Sequence, residues 1–164
     1  MHETGSRPDG GFTVQLALVD AVPVLEFCAS MAVVALRLQS TLFIVGALCC
    51  IFAGCGKVVW KLLLAVKGKD IPWLSADFMR RMLTGFALMV AALLLKAGSI
   101  DLSAVLARAA TLPAAGFFAV AIACMAVLCV LRAKLDQRDS RSNWAEQFVN
   151  IAMQTALLVG VLVY

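Results

Sequence analysis

Histidine is almost absent from this chain: the single one, His2, stands in the polar first eleven residues, ahead of every apolar run. A Ser/His/Asp or Cys/His arrangement therefore has no base to work with in the body of the protein. A zinc or haem site has no imidazole there either. The six cysteines, Cys28, Cys49, Cys50, Cys55, Cys124 and Cys129, include no CxxC pair and all lie inside apolar runs. In that setting a thiol is a small packing residue that stays protonated and inert. There is no Walker loop, no dinucleotide fingerprint, no HExxH and no DxxxD run, so the sequence implies no cofactor, no metal and no catalytic residue. Charge is scarce too, at 15% of residues, and no Lys/Arg-rich tail or aromatic-interleaved basic patch occurs, which argues against nucleic acid as a partner. No basic n-region precedes the first apolar stretch, where Glu3 and Asp9 stand instead, so a cleaved signal peptide is not expected. No internal repeat is visible, which weakens an inverted-repeat transporter reading.

What the chain has is apolar sequence. Its 164 residues are 63% hydrophobic with a mean hydropathy of +0.95, against about 45–50% apolar in a soluble domain. The expected fold is an all-α integral membrane protein, a bundle of about five transmembrane helices with short loops. Residues 1–11 read as a disordered tail and 12–164 as one transmembrane domain, with spans at 12–36, 41–65, 82–97, 113–131 and 144–163. The connector of residues 67–82 is amphipathic, contains Pro72 and Trp73, and is expected along the membrane surface. Lys57, Trp60 and Lys61 before it read as interface markers, the lysines snorkelling. Residues 98–112 allow one or two turns of interfacial helix, and Pro113 suits the first turn of the fourth span.

With five spans, all of the 14 lysines and arginines except Arg37, Lys96 and Arg108 fall on one side. The positive-inside rule then puts the N-terminus in the cytoplasm and Tyr164 outside, in the plasma (inner) membrane.

Polar residues inside the spans carry the functional expectation. On the last helix Gln147, Asn150 and Gln154 fall within roughly 60° of one another, opposite Ala152, Ala156 and Gly160. Amides on one side and small residues on the other leave little surface for lipid tails, so this helix reads as the buried hub of the bundle. Its start is expected at Asn143, where Asn143 and Glu146 have capping-box spacing. The first span holds Asp20, Pro23 and Glu26. Pro23 predicts a kink and frees the carbonyl of Val19. Glu26, Ser30 and Arg37 share one face, while Asp20 points elsewhere and reads as solvated or helix-capping. A carboxylate at membrane depth costs several kcal/mol unless protonated, paired or facing a cavity, which singles out Glu26.

Two further small-residue ladders, Gly46/Cys50/Gly54 and Ala115/Ala119/Ala123, supply close-packing faces, more than one protomer obviously needs. A homo-oligomer or a membrane partner subunit is therefore expected, with the lipid bilayer as the surrounding partner. The composite reading is a small membrane transport protein, a channel or carrier subunit for an ion or small polar solute. In it Glu26 supplies charge, Asp20, Gln147, Asn150 and Gln154 line the pathway, and Pro23 acts as hinge. The amides could equally be interhelical glue, which leads to the alternative of a non-catalytic scaffold or accessory subunit. A lipid-modifying membrane enzyme is a third reading, requiring a cavity open to the bilayer with Glu26 or Asp20 at its wall.

Overall fold

A computed structural model describes residues 13–69, 71–99, 101–135 and 140–164. The expected tail at 1–11, with His2, and residues 136–139 between the fourth and fifth expected spans, with Asp136 and Asp139, lie outside the described residues. Among those described, all regular structure is helical: α1 (Val14–Leu38), α2 (Thr41–Lys67), α3 (Pro72–Ala76), α4 (Phe78–Lys96), α5 (Leu102–Ala109), α6 (Ala114–Lys134) and α7 (Ser140–Val163). Among the described residues, five segments are long and apolar enough to cross a membrane, with α3 and α4 counted as one. At 1.5 Å per residue, the 27 residues of α2 reach about 40 Å, more than the hydrocarbon thickness of about 30 Å.

Local chemistry sets the ends of α1 and α2. The Thr13 hydroxyl accepts from the Leu16 N–H at 3.2 Å and starts α1. Gln39 closes it in a left-handed conformation, φ 45°, donating its N–H to the Ala35 carbonyl at 2.9 Å. Ser40 immediately caps α2, so the two helices fold back on one another with two residues between them. Gly68, at φ 59°, ends α2 with its N–H on the Leu64 carbonyl, a conformation that glycine adopts without strain.

Two boundaries differ from the sequence expectation. The connector expected on the membrane surface is largely helical, and α4 begins at Phe78, ahead of the expected span start at Met82. Arg80 and Arg81 depress the local hydropathy, yet both are held by Asp77 at i+3 and i+4, so the helix runs through them. The last helix is already formed at Ser140, which puts Asn143 inside it instead of at its cap, buried beside Ser142. Pro113 falls one residue ahead of α6, and α5 supplies the interfacial turns, capped by Asp101.

The long helices pack as a curved row in the order α4, α2, α1, α7, α6. Their direction alternates along the chain, so α1 and α7 lie side by side and parallel. That arrangement brings Tyr164 to the far end of α1, where the Arg37 guanidinium stands 5.3 Å over its ring. α1 is the middle of the row, while α7, between α1 and α6, is the most buried of the five spans, in keeping with its expected place inside the bundle.

Two small cores flank α1. One joins α2 to α4 through Phe43, Ala47, Cys50, Met89 and Ala92. The other joins α6 to α7 through Ala121, Leu128, Met153 and Ala156. Gly46 and Gly85 let the α2 and α4 backbones touch: a Cβ at Gly46 would lie 2.7 Å from the Gly85 oxygen. Gly54 faces Val24 of α1, and Gly160 faces Phe117 and Phe118 of α6. Ala119 and Ala123 are exposed, because α6 meets α7 through Ala121, Cys124 and Leu128 instead. Ala152 is exposed as well, while Ala156 is buried. Leu25, Phe52, Leu94 and Ile122 are among the large apolar side chains that face outward, the surface lipid tails require.

Candidate functional site

α4 and α6 close the row imperfectly. Among the described residues no Cα of α4 lies within 8 Å of one in α6. Between them and the three inner helices lies a cavity of about 310 Å³, lined by all five long helices. Binding pockets for small molecules start near that size.

The cavity has two chemically distinct ends. Toward the N-terminal ends of α1, α4 and α7 its wall carries Asp20, Lys57, Arg132, Glu146 and Gln147. Deeper in the bundle the wall is formed by Phe27, Cys50, Met82, Phe86, Met125 and Met153, with Gln154 among them. Phe27 and Phe86 meet edge to face, centroids 6.4 Å apart, and join α1 to α4 along this apolar wall. The polar lining ends at Gln154, about 12 Å along α7 from Glu146.

Ion pairs hold the polar end. Lys61 Nζ lies 2.9 Å from Asp20 Oδ2, with both side chains less than a tenth exposed. Lys61 therefore does not snorkel, and Asp20 is neither solvated nor capping: each neutralises the other inside the bundle. A sequence signal for this pair exists. Asp20 lies nineteen residues before Gln39, and Lys61 twenty-one after Ser40, so in a tight hairpin they sit within about 3 Å of the same level. Arg132 approaches Glu146 at 3.9 Å across the α6–α7 hairpin. Lys57 stands 5.0 Å over the ring of Phe78.

The residues singled out in the sequence divide between two places. Asp20, Pro23, Gln147, Asn150 and Gln154 all line the cavity. Glu26 does not; it faces α7, where the Thr155 hydroxyl donates to its Oε1 at 2.6 Å. Its Oε2 is buried without a hydrogen-bond partner, as are the Oε1 atoms of Gln147 and Gln154. The Ser30 hydroxyl donates to the Glu26 backbone carbonyl at 2.9 Å, a link within α1. Thr155, Lys57 and Arg132 were not picked out as site residues from the sequence. Thr155 sits one position from Gln154 on a helix whose pairing with α1 no local pattern announces, whereas the two cations resemble ordinary interface residues.

Beyond the C-terminal end of α4, Asp101 lies outside the spans and accepts from the Ser103 hydroxyl and the Ala104 N–H, which hold its carboxyl below the usual aspartate range. Among the described residues no group of three or more His, Cys, Asp or Glu side chains is placed to hold a metal ion, and the six cysteines are unbridged.

Fold and cavity together define a multi-pass helical bundle of the membrane-spanning type. No protein-family model matches the chain, and neither a curated protein nor a solved structure does.

Proposed function

We propose that this protein is a small membrane transport protein, a carrier for an amphipathic solute that reaches the cavity from the lipid side between α4 and α6. The observation that carries the reading is the division of one cavity into a charged end and an apolar end, both enclosed by helices long and apolar enough to cross a membrane. Ionisable and amide groups are costly there, and their convergence on a single space is the pattern of a binding site or pathway. A carrier fits better than a channel because the polar lining stops at Gln154 instead of running the length of the bundle. In this reading Asp20, Gln147, Asn150 and Gln154 serve the cavity, Pro23 shapes its α1 wall, and Glu26 fastens α1 to α7.

The test is transbilayer movement of a short-chain fluorescent amphiphile in proteoliposomes. Movement should depend on the protein and fall at least tenfold with Gln147→Leu. Equal rates in wild-type, variant and empty liposomes would contradict the proposal. The accessory-subunit alternative uses the same seam differently, by seating one partner helix between α4 and α6. Silent liposomes, with a single partner whose capture is lost in Asn150→Leu, would favour it.

A further inference from the structure

Among the described residues, the charged end of the cavity is not electrically balanced. Among the described residues around it are three cations, Lys57, Lys61 and Arg132, and two carboxylates, Asp20 and Glu146. Lys61 is matched with Asp20, and Arg132 with Glu146, which leaves Lys57. Its ammonium has the Phe78 ring at 5.0 Å and, among the described residues, no carboxylate within ion-pair distance. A ring face attracts the charge but can accept from at most one of the three N–H donors.

Acceptors are unused as well. Gln147 is 5% exposed, lies on the same wall, and its Oε1 has no donor; Gln154 Oε1, farther in, has none either. A buried polar atom left unpaired in a folded protein calls for a partner.

We propose that the cavity takes an amphiphile whose head group brings one negative charge and at least one N–H or O–H donor, the chemistry of an acylated amino acid or a hydroxylated phosphate head. The charge answers Lys57 and the donor answers Gln147. The alkyl chain lies against Phe27, Met82, Phe86 and Met125 and leaves between α4 and α6. A volume of about 310 Å³ equals roughly ten liquid-water volumes, room for the head and the first methylenes, so a longer tail remains in the bilayer. This rests on the cavity being a binding site, as proposed above.

The experiment is a binding series on the full chain in phosphatidylcholine nanodiscs with four probes of equal chain length: N-dodecanoylglycine, dodecanoate, dodecanol and dodecyltrimethylammonium. Wild type should bind N-dodecanoylglycine at least tenfold tighter than dodecyltrimethylammonium and several-fold tighter than dodecanoate. Lys57→Met should erase the preference for anions while dodecanol binding persists. Gln147→Leu should erase the advantage of N-dodecanoylglycine over dodecanoate. If either variant fails to fold, the wild-type ranking across head-group charge decides by itself. Adding phosphatidylglycerol separates the two sources: competition assigns the head to a bilayer lipid, and its absence to a free amphiphile. A cation that binds as tightly as the anions would overturn this inference alone. Saturable binding of none of the four would overturn the cavity reading with it.

Discussion

Removing one partner of the Asp20–Lys61 pair should damage the protein far more than removing both. The separation is 2.9 Å, with side-chain exposures of 7% and 3%, so solvent screening is slight. At an effective dielectric constant of about 20, that distance corresponds to an attraction of about 6 kcal/mol. Desolvation of the two charges offsets most of it, leaving little net stabilisation from the pair as a whole. A lone survivor keeps its desolvation cost and loses its partner. Lys61→Met alone, or Asp20→Leu alone, should therefore cost about 3–5 kcal/mol. The double substitution places two apolar side chains at a helix contact in lipid and should lie within about 1–2 kcal/mol of wild type. Reversible unfolding in mixed detergent micelles, followed through Trp60, Trp73 and Trp144, measures all four proteins. Single substitutions as stable as wild type, or a double loss equal to the sum of the single ones, would refute the reasoning.

Other consequences follow from particular contacts. Gly46→Ala sets a methyl 2.7 Å from the Gly85 oxygen and should cost about 1–3 kcal/mol in the same assay, whereas Gly98→Ala meets nothing within 4 Å and should stay within about 0.5 kcal/mol. Thr155→Val removes the donor to Glu26 and should cost about 1–2 kcal/mol; Glu26→Gln, which keeps an acceptor for Thr155, should cost less and leave amphiphile movement intact. The Asp101 carboxyl, held low first by the Ser103 hydroxyl, should titrate below an unfolded aspartate. Its cap on α5 is therefore fully present above the unfolded value of about 3.9 and is lost as pH falls through the lower folded value. Carboxyl-carbon NMR should show a titration midpoint below that of the denatured chain, and Ser103→Ala should move it upward.

The five spans were legible because apolar runs of this length have few alternatives, and the placement of Asp20 and Glu26 on different faces of α1 follows from helical period alone. Period also put Gln147, Asn150 and Gln154 together. Depth was harder to read. Lys61 resembles a snorkelling interface lysine when counted from the end of α2, and only its distance from the Gln39–Ser40 turn shows that it meets Asp20. Hydropathy misplaced the start of α4, because Arg80 and Arg81 are apolar-poor residues inside a helix that Asp77 stabilises locally. For Glu26 the sequence pointed to the last helix as its counterpart, but not to the residue it meets. Its partner Thr155 is 129 residues away, on a helix that reaches α1 only through the packing order of the whole row. The cavity likewise depends on α4 and α6 standing apart, a property of the assembled bundle and of no single segment.

The most direct test of the cavity is to locate a bound amphiphile. A photoreactive dodecyl carboxylate in phosphatidylcholine nanodiscs, with adduct positions read by mass spectrometry, should label α4, α6 and α7 near Met82, Met125 and Gln147, saturably and in competition with unlabelled ligand. Labelling confined to outward residues such as Phe52 and Leu94, rising without saturation, would contradict the account.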